Sequence, residues 1–285
     1  MQLIEIGDTR VVQVRPDDSI DHAISLMDQH NFRHLPVVER SRILGMVSDR
    51  DLLSAVAMLP NSERSASSEG PARVGATRID QVMSRPAITV DAEAPLEAAA
   101  EIMLRERIRA VPLVYKDRIA GIVTETDFLK CYLDDRPIAR RTGWRLRKVG
   151  DHMSSPVITL ALNDQYLHAV RVMQSRRIRH LPIVEQGRLV GIISDRDMRR
   201  AIGGLPILVE DARSEAHRPH TQIVMRDIMS SEVVTINPPA TLAEAADTLV
   251  SNKFGSLPVV QDSALVGIIT ESDLLRHFLD SCRNP

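Results

Sequence analysis

Apolar positions recur along the chain in two rhythms. Ile20, Ala23, Ile24 and Met27 fall at i, i+3, i+4 and i+7, which predicts one apolar face of a helix. Before it, Val11-Val12-Gln13-Val14 alternates like a short strand. After it, Leu35-Pro36-Val37-Val38 and Ile43-Leu44-Gly45-Met46-Val47 are apolar runs parted by charged turn residues, which predicts a hairpin of two half-buried strands. Pro16-Asp17-Asp18-Ser19 supplies helix-starting residues, and a second helix is expected from Ser48. The predicted order is strand, helix, strand, strand, helix.

The same rhythm returns three times. The second copy opens at Met83-Ser84-Arg85-Pro86 and carries the strand Ala87-Ile88-Thr89-Val90, the helix face Leu96, Ala99 and Met103, and an apolar run from Val111 to Val114. The third follows Met153-Ser154-Ser155-Pro156, with Tyr166, Val170 and Met173. The fourth follows Met229-Ser230-Ser231-Glu232, with Leu242, Ala246 and Leu249. In the first copy the corresponding lead-in, Gly7-Asp8-Thr9-Arg10, is worn. Each copy ends on one phrase: Gly, apolar, apolar, Ser or Thr, Asp or Glu, any residue, Asp. Its final aspartates, Asp51, Asp127, Asp197 and Asp273, lie 76, 70 and 76 residues apart, and Pro36, Pro112, Pro182 and Pro258 keep the same spacing. Copies one and three share Ser-Asp-Arg-Asp and copies two and four share Thr-Glu-x-Asp, so the unit last duplicated is a pair. Blocks repeated this regularly must pack on one another to cover their apolar faces.

These boundaries divide the 285 residues into repeat one (1–57), a polar loop (58–80), repeat two (81–135), a basic linker (136–150), repeat three (151–203), a connecting segment (204–226) and repeat four (227–285). With 36 basic and 38 acidic residues the chain is near neutral, so no global field draws nucleic acid or anionic membrane, and binding must be local. Cys131 and Cys282, two lone thiols, point to a reducing compartment and read as core residues; no Cys/His cluster suggests a metal. Without a basic, apolar leader or an apolar run of about 18 residues, the chain is expected to be cytoplasmic and without a membrane anchor. The linker holds six cations and Trp144, a composition that could grip phosphates or simply pack between modules.

Ser/Thr-x-x-Asp has a purely structural use, in which the hydroxyl caps a helix and the acid answers its free amides and dipole. The neighbouring cations ask for more. Arg50 and Arg196 directly precede the aspartate in the odd repeats, and Arg33-His34, Arg109 and Arg179-His180 precede the Leu-Pro or Val-Pro strand, whereas repeat four has Gly255-Ser256. A helix start, hydroxyls, a carboxylate and cations around one crevice suit a phosphorylated sugar, with Asp toward ribose hydroxyls and Arg or His toward phosphate oxygens. A solvated charged face is the competing reading.

Met-Ser-x-Pro, Arg-x-Leu-Pro-Val-Val and Gly-apolar-apolar-Ser/Thr-x-x-Asp, in this order and repeated over essentially the whole chain, resemble CBS domains, the modules named after cystathionine β-synthase. Two such motifs form a Bateman module. Four in one chain resemble stand-alone prokaryotic CBS proteins and the gamma subunit of AMP-activated protein kinase. The resemblance implies an α/β fold in which paired repeats pack sheet to sheet about a pseudo-twofold axis and two modules meet as a disc, within one chain or as a homodimer. It also implies adenine-containing ligands: AMP, ADP or ATP first, with S-adenosylmethionine, NAD and cyclic di-AMP as further candidates.

Carried over by motif, the ribose positions are Asp51, Asp127, Asp197 and Asp273 with Ser48, Thr124, Ser194 and Thr270. The phosphate positions are Arg33, His34, Arg50, Arg109, Arg179, His180 and Arg196, and the adenine wall is Phe32, Thr89, Ile108, Thr159, Ile178 and Thr235. The resemblance also implies composite clefts. Asp127 would face Gln13, Phe32, Arg33 and His34, and Asp273 would face Thr159, Ile178, Arg179 and His180. Asp51 and Arg50 would face Thr89, Ile108 and Arg109. Asp197 and Arg196 would face Thr235, Phe254, Gly255 and Ser256, a wall without cations and therefore the weakest site. The expected function is a non-enzymatic regulatory sensor acting on a separate protein, since no nucleophile with its base, carboxylate pair, Walker loop or metal site stands out. A ligand-independent scaffold or nucleic-acid binder working through the linker is the alternative, and a nucleotide hydrolase or transferase is a third reading.

Overall fold

A computed structural model of the chain describes residues 1–57, 77–134, 146–203 and 223–283. Most of the expected polar loop, the linker residues 136–145 with Trp144, and most of the connecting segment lie outside the described residues.

Repeat one is built from α1 (Ile20–His30), the hairpin β1 (His34–Glu39) and β2 (Arg42–Ser48), and α2 (Asp49–Ala57). Repeat two has β3 (Val90–Asp91), α3 (Leu96–Glu106), β4 (Ala110–Tyr115), β5 (Arg118–Thr124) and α4 (Glu125–Leu133). Repeat three has α5 (Tyr166–Arg176), β6 (His180–Glu185), β7 (Arg188–Ser194) and α6 (Asp195–Gly203). After the single turn α7 (Met225–Ile228), repeat four has α8 (Leu242–Asn252), β8 (Ser256–Gln261), β9 (Ala264–Thr270) and α9 (Glu271–Arg283). All four hairpins share one antiparallel register, from His34 opposite Ser48 to Ser256 opposite Thr270, with a bulge at the same place. The first helix of every repeat ends on a left-handed residue, Asn31, Arg107, Arg177 or Lys253, with φ of 56°, 57°, 54° and 57°. That conformation lets the chain leave the helix and enter the hairpin within two or three residues.

The expected first strand of each repeat is mostly not paired. Parallel pairing is confined to Val14 on Val37, Val90–Asp91 on Leu113–Val114, Leu160 on Ile183 and Ile236 on Val259. In repeats one and three the residues just before these contacts, Val11 and Val12, and Val157 and Ile158, run alongside the clefts described below instead of along a strand.

The lead-in segments are exchanged within each pair. Asp8, ahead of repeat one, bridges to Ile122 of repeat two, and Ser84, ahead of repeat two, bridges to Met46 of repeat one; Ser154 with Ile268 and Ser230 with Ile192 repeat this in the second half. The glycine of the phrase follows from that approach. A Cβ at Gly45 would lie 2.6 Å from Ser84 O, and at Gly121 3.1 Å from Asp8 O; at Gly191 and Gly267 it would collide with Met229 and Met153. A side chain there would push the partner repeat's lead-in away.

The two pairs pack on each other through their second helices, α2 against α6 and α4 against α9. Repeats two and four share one apolar core containing Phe128, Leu129, Tyr132, Leu275 and Phe278. Phe278 lies 5.6 Å from Phe128 and 4.5 Å from Tyr132, centroid to centroid, the latter edge-on. Among the described residues repeats one and three keep separate cores, and Leu53 of repeat one enters that of repeat three. Between them Arg199, 2% exposed, donates from Nε to Asp49 at 2.7 Å and from Nη2 to Asp28 at 2.7 Å. Cys131 is buried and Cys282 partly so, and neither forms a disulfide among the described residues. No helix among the described residues is long and apolar enough to cross a membrane.

Candidate functional site

The start of each second helix is built alike. Asp51, Asp127, Asp197 and Asp273 each turn Oδ2 back to accept from the hydroxyl of Ser48, Thr124, Ser194 or Thr270, at 2.6, 2.7, 2.7 and 2.7 Å. The same oxygen accepts from that residue's backbone N–H. One carboxylate oxygen thus closes a capping box. The other remains: Oδ1 of Asp127 is 3.4 Å from Lys130 Nζ, and Oδ1 of Asp273 is 3.2 Å from Arg276 Nη1.

Asp127 and Asp273 each border a substantial cavity. Asp127 and Thr124 share one of about 350 Å³ with Phe32, Arg33 and His34, and the lead-in of repeat one adds Val11 and Val12. Asp273 and Thr270 share one of about 470 Å³ with Ile178, Arg179 and His180, and Val157 and Ile158 occupy the corresponding place. Neither cavity is lined by Asp51 or Asp197.

Each cavity is completed by the opposite module, which departs from the expected pairings. Arg50, expected beside Asp51, lines the Asp273 cavity and donates to Ile178 O at 3.1 Å. Arg196, expected beside Asp197, lines the Asp127 cavity and donates to Asn31 Oδ1 at 2.5 Å. Phe254, expected opposite Asp197, also lines the Asp127 cavity. The cause is the helix pairing: α2 against α6 aims the arginine in the first turn of each across the module boundary. Arg109, expected in the Asp51 cleft, lines both cavities.

On the adenine wall the register differs by one residue. Thr159 does not line its cavity and Ile158 does; Gln13 lines a separate pocket with Val14 and Asp18, and Val12 takes the cleft position. Thr235 is exposed, and Thr89 and Ile108 are half-buried; none of the three lines either cavity. Ile88, Ile158 and Val234 are 38%, 39% and 40% exposed. Apolar side chains this open stand at one repeated position, the residue before each threonine, and of the three only Ile158 lines one of the two cavities.

Charge converges where the two cavities meet. The residue before each hairpin and the first residue of the following helix are held together by a backbone hydrogen bond, as from Asp195 N to Arg179 O at 3.0 Å. Where the residue before the hairpin is Arg109 or Arg179, its side chain also meets the acid: Arg109 Nε is 3.5 Å from Glu125 and Arg179 Nε 3.7 Å from Asp195. Gly255 supplies no side chain, so Glu271 takes Arg33 from repeat one at 3.7 Å, and Asp49 takes Arg199 and Arg196. A Cβ at Gly255 would lie 2.8 Å from His180 Cε1 and 2.9 Å from Arg33 Nη1, so the glycine is what lets these two approach.

His34 Nε2 lies 3.5 Å from Arg179 Nη1. Burial, and then the guanidiniums around them, hold both His34 and His180 well below the ordinary histidine pKa, so both are neutral at pH 7. Burial and Arg109 lower Arg179 to about 10. Burial raises Glu125, with Glu271 opposing its ionisation as well and Arg109 favouring it. Arg109 Nη1 and Ser256 Oγ are buried and carry no hydrogen bond among the described residues. Donors arranged this way are suited to an anion with several oxygens. Among the described residues no group of three or more His, Cys, Asp or Glu could hold a metal.

The CBS domain family matches residues 4–58, 79–134, 149–204 and 225–280, and the chain belongs to that family, with a Bateman pair in each half. It is similar over its length to protein MJ1225 of Methanocaldococcus jannaschii, 27% identical over 277 residues that cover 94% of this chain and 95% of that one. The solved structure of MJ1225 superposes with a TM-score of 0.80 at 23% identity, covering 98% of this chain and all of the other. A conserved protein of Pyrococcus horikoshii superposes with a TM-score of 0.63 at 20% identity, covering 98% of this chain. These two likenesses show the four-repeat fold. CBS domain-containing protein YhcV of Bacillus subtilis is 34% identical over 119 residues, 42% of this chain and 76% of YhcV.

Proposed function

We propose that the chain is a regulatory sensor without catalysis of its own, which binds adenine nucleotides in the Asp127 and Asp273 cavities and passes the change to a separate protein. The carrying observation is the composition of these two cavities. Each sets a capped carboxylate, whose second oxygen meets one exposed cation and can still accept from ribose hydroxyls, against an open apolar strip, Val12 with Phe32 or Ile158 with Ile178, for a flat base. Each ends in half-buried arginine and neutral histidine, for phosphate. Since both cavities are closed by residues of the opposite module, a ligand that fits one closed arrangement better than another shifts how the modules sit, by its difference in affinity. The alternative reading, a scaffold working through the basic linker, has no observation in its favour among the described residues.

A thermal-shift screen against AMP, ADP, ATP, S-adenosylmethionine, NAD, cyclic di-AMP and GTP tests the reading, because a ligand of the native state raises its melting temperature. A shift with an adenine compound that shrinks in Asp127→Ala and Asp273→Ala is expected. No shift with any compound would move the weight to the scaffold reading.

A further inference from the structure

The two cavities are related by pseudo-symmetry but differ in charge. Around Asp127, six Lys or Arg side chains are set against four carboxylates; around Asp273, six arginines are set against two. Part of the difference comes from the lead-ins, where Asp8 lines one cavity and Ser154 the other. The rest comes from Glu271, which lines the Asp127 cavity only.

The left-handed residues ending the first helices sharpen the contrast. Asn31 and Lys253 reach the Asp127 cavity, and Arg107 and Arg177 reach the Asp273 cavity. Asn31 spends its side-chain oxygen on Arg196, and its carbonyl accepts from the same guanidinium at 3.3 Å. Arg177 cannot accept, so Arg50 turns to a backbone carbonyl. Arg107 and Arg177 make no side-chain hydrogen bond or ion pair among the described residues. One cavity therefore has its cations largely matched, whereas the other holds cationic charge in excess.

We infer that the two cavities read different phosphorylation states: the Asp273 cavity selects a nucleoside di- or triphosphate over the monophosphate, with Arg107 and Arg177 as the selecting residues, and the Asp127 cavity lacks that preference. This rests on the adenine-nucleotide reading above and adds the phosphate count. The extra phosphates of the longer ligand bring charge that only the Asp273 cavity has spare donors to meet.

Calorimetric titration of the full chain with AMP and with ATP, free of divalent cations, tests it. Asp127→Ala isolates the Asp273 cavity and Asp273→Ala isolates the other. Arg107→Asn and Arg177→Asn are expected to fold, because asparagine already holds the same conformation at Asn31. Each should weaken ATP at the Asp273 cavity roughly three- to tenfold and AMP less than about twofold, a discount from a fully formed charge-assisted bond because both side chains are exposed. Asn31→Arg should move the Asp127 cavity toward ATP, as arginine is tolerated there at positions 107 and 177. An ATP-to-AMP affinity ratio equal in the two cavities, or unmoved by the arginine changes while both nucleotides bind, overturns the inference and leaves the nucleotide reading standing. If neither nucleotide binds in either background, both fall.

Discussion

Repeats one and three meet their neighbours differently from repeats two and four. The even pair shares one core, with Phe128, Tyr132 and Phe278 packed edge to face between helices and two reciprocal hydrogen bonds at the helix starts, Ser272 to Glu125 at 2.6 Å and Thr126 to Glu271 at 2.5 Å. The odd pair meets through Leu53 and a cluster of charges, Arg199 with Asp28 and Asp49, and Arg196 with Asp49 and Asn31. Thr-Glu-x-Asp and Ser-Asp-Arg-Asp are the sequence form of this difference. The arginine that marks the odd phrase is drawn into the odd contact and on into the opposite module's cavity. The same duplication has thus produced an apolar contact and a polar one, and the polar one furnishes the cavities with cations.

The largest loss is expected at the apolar contact. Phe278→Ala should cost about 3–5 kcal/mol of stability in urea unfolding, as for other buried aromatics, and the loss should not depend on salt. A cost under about 1 kcal/mol would mean that the even contact is not the main joint.

At the polar side Arg199→Met should cost less, about 2–3 kcal/mol, because it leaves Asp49 buried without its best partner while Asp28 is 40% exposed and returns to water. Adding Asp49→Asn should recover part of that loss, since the stranded charge is then gone. If the double variant is no better than the single, the penalty is packing and not charge.

A smaller effect is expected from pH. His34 and His180 are neutral in the fold with lowered pKa, whereas in the unfolded chain they titrate near 6.5. Stability should be level above that value and fall as pH drops below it, by at most about 1.4 kcal/mol per pH unit for each histidine. Unfolding midpoints measured from about pH 7.5 to 5.5 should show a drop that is reduced in the double change His34→Asn, His180→Asn; an equal drop in both proteins would place the linkage elsewhere.

Much of this was legible in the sequence within a repeat and little of it between repeats. Ile20, Ala23 and Met27 announced their helix face, and the capped phrase announced the helix start, because each depends on residues a few positions apart. The first strands read as longer than they are, since Val11 and Val12 alternate like a strand but face a cleft. The exchange of lead-ins, the crossing of Arg50 and Arg196 and the reach of Phe254 depend on how whole modules dock, and no period in the sequence records that. Gly255 is the instructive residue. Its lack of a side chain read as a lost cation in one cleft, whereas in the fold it makes room at the centre, where Arg33 comes across to Glu271 in place of the missing arginine.

Calorimetric titration of the full chain with AMP, repeated for the four single Asp-to-Ala changes, tests directly whether the Asp127 and Asp273 cavities are the ligand sites. Two molecules should bind per chain. Asp127→Ala and Asp273→Ala should each weaken one of them about ten- to hundredfold, the value of one lost charge-assisted hydrogen bond, while Asp51→Ala and Asp197→Ala leave affinity within about twofold. All four variants lose the same capping box, so stability alone would not separate them. Binding that survives at Asp127→Ala and Asp273→Ala but is lost at Asp51→Ala or Asp197→Ala would contradict the assignment.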